Sequence, residues 1–179
     1  LIQSSFLTGT AFYINNYLYD LTQNKVLSSF YTGLLGCLVI CPLEDLKINQ
    51  EAHYKKKISE NDINLFAEVS GDNNPIHMDD KFARSSIFKK RIAHGFLSGS
   101  LISTVIATQL PGPGSIYLNQ ILKFLAPVFI GDTITAIVTI KKIEIEKRKV
   151  NLLTECFNSK QKILTGQADI LVSKKKDFV

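Results

Sequence analysis

The stretch "SGDNNPIHMDD", residues 70 to 80, sets a carboxylate at Asp72 and an imidazole at His77, with Asn73, Asn74 and Pro75 between them. Asparagine side chains hydrogen-bond their own backbone, while Pro75 fixes its own φ and biases Asn74 away from helix. The spacing predicts a stiff loop, with no regular structure inside it, that projects an acid and a base together. Imidazole titrates near pH ~6.5, and a neighbouring carboxylate can raise that value and orient the ring. Such a pair can hold one water molecule between a base and an acid, as general acid–base catalysis requires. The same residue types are ordinary turn formers, so "GDNNP" alone does not separate a catalytic loop from a structural one.

A second element bears on the same chemistry. "AHGF" places Gly95 at the start of a long uncharged run. If that run is helical, its first N–H groups lack intrahelical partners and carry partial positive charge. A glycine there lets a substrate oxygen come close to the backbone, which is how an oxyanion hole is built. Tight helix packing also explains Gly95, and His94 beside it reads equally as a hydrogen-bonded neighbour.

The elements that position these residues can be read outward from the loop. Ser59 with Asp62 three positions later is a capping-box start; Ile63, Phe66, Ala67 and Val69 follow at helical spacing, and Gly71 marks the helix end. "DDKFARSS" predicts another short helical turn. From Ile92 to Leu122 there is no Asp, Glu, Lys or Arg. Within this run "HGFLSGSLISTVIATQL" is apolar on nearly every side, and a helix of that kind must be buried. It is too short and too rich in Ser, Thr and Gly to span a membrane. A sheet wrapped around it is the remaining solution, with Ser98, Gly99 and Ser103 letting strands approach closely.

Strand patterns supply that sheet. "EAHYKKKI" precedes the first helix. After the "PGPG" turn come "SIYLNQILKFL", then "TITAIVTI", where Ile134, Ala136, Val138 and Ile140 alternate until Lys141-Lys142 shifts the phase, as a β-bulge does. "KVNLLTECF" and "ILTGQADILV" complete the set. Strands joined by short turns after a long central helix predict an antiparallel α+β layer.

A chain of 179 residues with 45% apolar and 21% charged residues fits one soluble globular domain. The net charge of +5 gathers in "KKIEIEKRK" from Lys141 and in Lys174 to Lys176. These read as solvated faces or as attraction to an anion such as a nucleotide phosphate or an acidic carrier protein. No aromatic residues interleave with the lysines, so nucleic acid is not expected as a partner. Cys37, Cys41 and Cys156 form no zinc pattern and read as small apolar residues of a reducing compartment. Residues 1–42 carry only Asp20 and Lys25 as charges, and the uncharged run from Val26 to Leu43 is long enough for a short span or a targeting core. The expected division is an apolar N-terminal extension of unclear role, 1–42, and a functional domain, 43–179, in the cytoplasm, with membrane association through residues 26–43 as the other possibility.

"FAEVSGDNNPIHMDDKFA", "IAHGFLSGSLIS" and "LPGPGSIYLNQILKFLAPVFIGDTIT", in that order, closely resemble the MaoC-like (R)-specific enoyl-CoA hydratases over residues 43–173. The resemblance implies a hot-dog fold, an antiparallel sheet wrapped around one long helix, paired as a homodimer. It implies Asp72 and His77 as the catalytic pair, Gly95 as oxyanion hole, Asn74 setting the pair's geometry and Ser100 supporting the aspartate. It implies reversible hydration of trans-2-enoyl thioesters of coenzyme A or acyl carrier protein, as in fatty acid metabolism, with neither metal nor redox cofactor called for. A thioesterase of the same fold and a non-catalytic acyl-thioester binding module are the competing classes; neither needs this Asp–His pair in this loop.

Overall fold

The computed structural model describes residues 43–173. The apolar extension 1–42, with Cys37, Cys41 and nearly all of the uncharged run, lies outside them, as do Lys174 to Lys176. No helix among the described residues is long and apolar enough to cross a membrane.

Five strands form one antiparallel sheet: β1 (Glu51–Lys57), β2 (Ile116–Phe124), β3 (Thr133–Glu144), β4 (Lys149–Phe157) and β5 (Lys162–Leu171). Their spatial order is β1-β3-β4-β5-β2, so β1 and β2 are the edges. Period-two alternation sends Ile134, Ala136, Val138 and Ile140 of β3 to the core, each fully buried. The phase slip at Lys141-Lys142 is realised as a register shift between Ile140 and Lys142 opposite β4. At the other end of the sheet, β5 and β2 pack backbone to backbone: a Cβ on Gly166 would overlap the carbonyl oxygen of Ile121.

Among the described residues four α-helices accompany the sheet: α1 (Glu60–Ser70), α2 (Pro75–Met78), α3 (Asp80–Ser85) and α4 (Gly95–Thr108). The capping box at α1 forms as expected, with Asp62 N–H donating to Ser59 Oγ at 3.2 Å and Ser59 N–H to Asp62 Oδ2 at 2.8 Å. Lys56 lies 2.9 Å from Asp62, and these partners hold the Asp62 carboxyl at about 2. Gly71 ends α1 in the left-handed region, φ 76°. "DDKFARSS" becomes α3, capped by Asp79.

Two local expectations are corrected. The loop after Asp72 does contain regular structure. Asn74 accepts the Ile76 N–H at 3.1 Å and Pro75 occupies the first helical position with φ already set, so the turn closes into the short helix α2 that carries His77. The second concerns α4. Leu97, Ser98, Leu101, Ile102, Val105 and Ile106 are buried against the sheet, but Phe96, Ser100, Ser103 and Ala107 form an exposed stripe. The sheet covers one side of the helix, so Ser103 eases no strand contact, whereas Gly99 does lie against Leu122.

Candidate active site

The residues that could do chemistry sit where the α1–α2 loop meets the start of α4. Asp72 follows Gly71 directly; its backbone N–H donates to Ser70 Oγ at 3.2 Å, and its Oδ1 accepts the Asn74 N–H at 3.3 Å. Asn74 thus both braces Asp72 and caps the helix bearing His77. Asp72 is exposed, while His77 is only 9% exposed and His94 2%. Ligand-type atoms of the three side chains lie within 4.8 Å of one another. The His77 and His94 rings lie against each other, tilted by 35°, with centroids 3.9 Å apart.

Each ring's tautomer follows from its partner. His77 Nδ1 is 2.8 Å from the Ile92 carbonyl oxygen, and His94 Nε2 is 2.9 Å from that of Asp72. A carbonyl only accepts, so both of those nitrogens carry the hydrogen. His77 therefore keeps a lone pair on Nε2. His94 Nδ1 is buried with no partner. His94, the residue that precedes α4, ties Asp72 to the helix start through the aspartate's main chain.

Asp72 does pull the titration of His77 upward, as expected, but it is outweighed. Burial pushes the His77 imidazole below its usual range, and His94 adds to this; the Ile92 carbonyl and Asp72 pull the other way and lose. His77 is therefore a neutral base at pH 7.

His77 and Gly95 both line a cavity of about 310 Å³, otherwise walled by Ser98 and by apolar groups that include Phe88 and Phe124. Phe88 is the residue that the segment between Asp79 and Arg91 contributes to this wall. Gly95 opens α4 with no side chain capping it. A Cβ at Gly95 would come within 2.8 Å of the Phe124 ring, so the glycine keeps that aromatic wall in place. Ser100 is not brought to Asp72: it is exposed, with its hydroxyl donating to the Leu97 carbonyl at 2.7 Å. Ser98 is instead the serine on the cavity, its hydroxyl buried and without a hydrogen-bond partner.

The family model described as the MaoC like domain matches residues 45–157. The chain belongs to the MaoC-like dehydratase family. It is similar to the (R)-specific enoyl-CoA hydratase of Rhodospirillum rubrum, at 48% identity over 75% of this chain and 94% of that protein. It is likewise similar to the 3-hydroxybutyryl-CoA dehydratase of Methylorubrum extorquens, at 42% identity over 80% and 92%. Among solved structures, the unliganded R-hydratase PhaJ1 of Pseudomonas aeruginosa superposes with a TM-score of 0.71 at 43% identity, covering 75% of this chain and 87% of that one.

Within this MaoC-like frame, sequence reasoning missed the brace behind His77. The Arg91 guanidinium donates from Nε to the His77 carbonyl at 2.8 Å and from Nη1 to Glu60 at 2.8 Å. Arg91 is 9% exposed. The only sequence signal was a charged residue next to an uncharged run. The contact joins positions 14 apart through a loop, which no periodicity encodes.

Proposed function

We propose that this MaoC-like chain is an (R)-specific enoyl-CoA hydratase, a hydro-lyase adding water reversibly to trans-2-enoyl thioesters, with Asp72 and His77 as its catalytic pair. The observation that carries the reading is the fixed tautomer of His77: Nδ1–H is spent on Ile92, leaving the Nε2 lone pair on a side chain that lines the cavity beside Asp72. Water held between the two attacks C3 of the thioester. One proton leaves that water to His77 Nε2 as the C3–O bond forms, and one proton returns from the pair to C2 on the same face. The net addition is one water. As C3 is attacked, the thioester oxygen gains enolate charge, and the Gly95 N–H at the positive end of α4 stabilises it; losing such a donor costs about 3 kcal/mol in other enzymes. The acyl group occupies the apolar part of the cavity.

We also infer a homodimer built on the β2 edge, because Ile116, Leu118, Ile121 and Phe124 of that strand are all about half exposed. Sedimentation of Leu118→Lys as a monomer, beside a dimeric parent, supports this; two identical profiles refute it. The cytoplasm is the proposed location, in keeping with the free buried thiol of Cys156.

The enzymatic reading is tested with crotonyl-CoA, following the double-bond absorbance and product chirality in the parent, Asp72→Asn and His77→Gln. A (3R) product that disappears in both variants supports it. Release of free thiol with the double bond intact replaces it with a thioesterase, and no reaction at any chain length replaces it with a binding role.

A further inference from the structure

Helix α4 carries several hydroxyls, and Ser98 is bonded unlike Ser100, Thr104 and Thr108. Ser100 donates to the Leu97 carbonyl at 2.7 Å, Thr104 to that of Ser100 at 3.3 Å and Thr108 to that of Thr104 at 2.7 Å. Turning back to a carbonyl three or four positions earlier is the ordinary way for a helical hydroxyl to satisfy itself. Ser98 does not do so. Among the described residues its Oγ has no hydrogen-bond partner, although the residue is only 3% exposed. A buried donor left unpaired is rare in native folds, and a catalytic role is one of the few things that keeps it there.

Ser98 stands three positions after Gly95, hence about 60° around the helix from it and about 4.5 Å along the axis. Side chains on a helix lean toward its N-terminus, so each covers the turn before its own Cα. Ser98 therefore leans over the turn that Gly95 opens, and both residues line the cavity that also holds His77. Two neighbours fix the place. The Cys156 thiol donates to the Ser98 carbonyl at 3.6 Å, and the Phe124 ring closes over Gly95. Packing alone would be served by alanine, which fills nearly the same space and leaves no donor stranded.

We propose that the Ser98 hydroxyl is a second donor to the thioester carbonyl oxygen, acting beside the Gly95 N–H. The proposal rests on the hydratase reading and adds a catalytic residue to it. As water adds at C3, the C2=C3 electron pair moves to C1–C2 and the carbonyl becomes the C–O⁻ of an enolate. No proton leaves the serine. Its hydrogen bond strengthens as that charge grows and relaxes once C2 takes its proton. A hydroxyl already shut from water has no solvent bond to give up, so its preference for the charged oxygen is spent on the reaction.

The test compares the full chain with Ser98→Ala on two thioesters: crotonyl-CoA, and butyryl-CoA carrying carbon-13 at the carbonyl, a saturated compound with no double bond to hydrate. Loss of one such donor should lower kcat at least about tenfold, with KM little changed and the melting temperature not reduced. In difference infrared spectra the labelled carbonyl stretch should lie below its free value when bound to the parent and move back toward it in Ser98→Ala. A kcat equal to the parent's overturns the proposal and leaves a resident water as the partner of Ser98. A fall in kcat with the carbonyl stretch unmoved overturns it too, by making Ser98 a packing residue, as does a rise in KM alone. If the parent hydrates no thioester yet the stretch moves back in Ser98→Ala, the hydratase reading fails while the carbonyl donor stands.

Discussion

The loop that carries Asp72 and His77 and the helix that starts at Gly95 meet at one cavity but are held by opposite means. The loop is fixed by single directed bonds: Asn74 on Ile76, Ile92 on the His77 ring, Arg91 on the His77 carbonyl, His94 on that of Asp72. Helix α4 is fixed in bulk, by Leu97, Leu101, Ile102, Val105 and Ile106 pressed on the sheet. Directed bonds fix distance and angle and contribute only about 1 kcal/mol each. Apolar packing contributes far more and is tolerant of small shifts. Chemistry and stability should therefore separate along this boundary.

The strongest way to break the comparison is His77→Gln, which should lower kcat at least a thousandfold while leaving the melting temperature within a few degrees; a large loss of stability would show that the loop also carries the fold. The mirror experiment is Ile106→Ala. Its fully buried site predicts about 2–5 kcal/mol of lost stability by denaturant titration, with kcat of the folded fraction near the parent value. Smaller is the effect of Arg91→Met, which leaves the His77 carbonyl and Glu60 without their donor. A fall of roughly tenfold in kcat with KM little changed is expected, because removing such a charged hydrogen bond is worth about 1.5–3 kcal/mol; a change in KM alone would place Arg91 in substrate binding.

The mildest test is pH. Because burial lowers the His77 titration in the folded chain, the neutral base persists below the usual ~6.5 of free imidazole. The acid limb of kcat/KM should lie beneath that value and be absent from the residual activity of His77→Gln. The sign for stability follows. Between the folded and unfolded titrations the unfolded chain binds more protons, so stability rises with pH across that window and is lost as pH falls through it. An acid limb above 6.5 would mean that Asp72 governs the ring after all.

Legibility in the sequence followed the same boundary. The Ser59 capping box, the Gly71 stop, the uncharged α4 run and the bulge at Lys141-Lys142 were all readable, because each is a local pattern or a period. Asp72, His77 and Gly95 were singled out together through the family resemblance, and the fold sets Asp72 beside His77 and puts His77 and Gly95 on one cavity. Hidden were the contacts between distant positions: Arg91 to His77, His94 to Asp72, Phe124 against Gly95. The exposed stripe of α4 was hidden too, since a helix apolar on all sides does not announce which side the sheet leaves bare. Ser100 and Ser98 differ by two positions, hence by about 200° around the helix, and only the packing decides which one meets the cavity.

Gly166 does not line the cavity, yet the meeting of β5 with β2 depends on its having no side chain. Phe124, the aromatic wall against Gly95, stands at the end of that same strand, opposite Leu164. In a genetic screen for lost hydration, any substitution at Gly166 would score with the catalytic class. Sorted by distance from the substrate, it would be dismissed as a bystander. It is better described as the tolerance gauge of the scaffold, the position at which a single methyl group decides whether the reaction chamber keeps its wall.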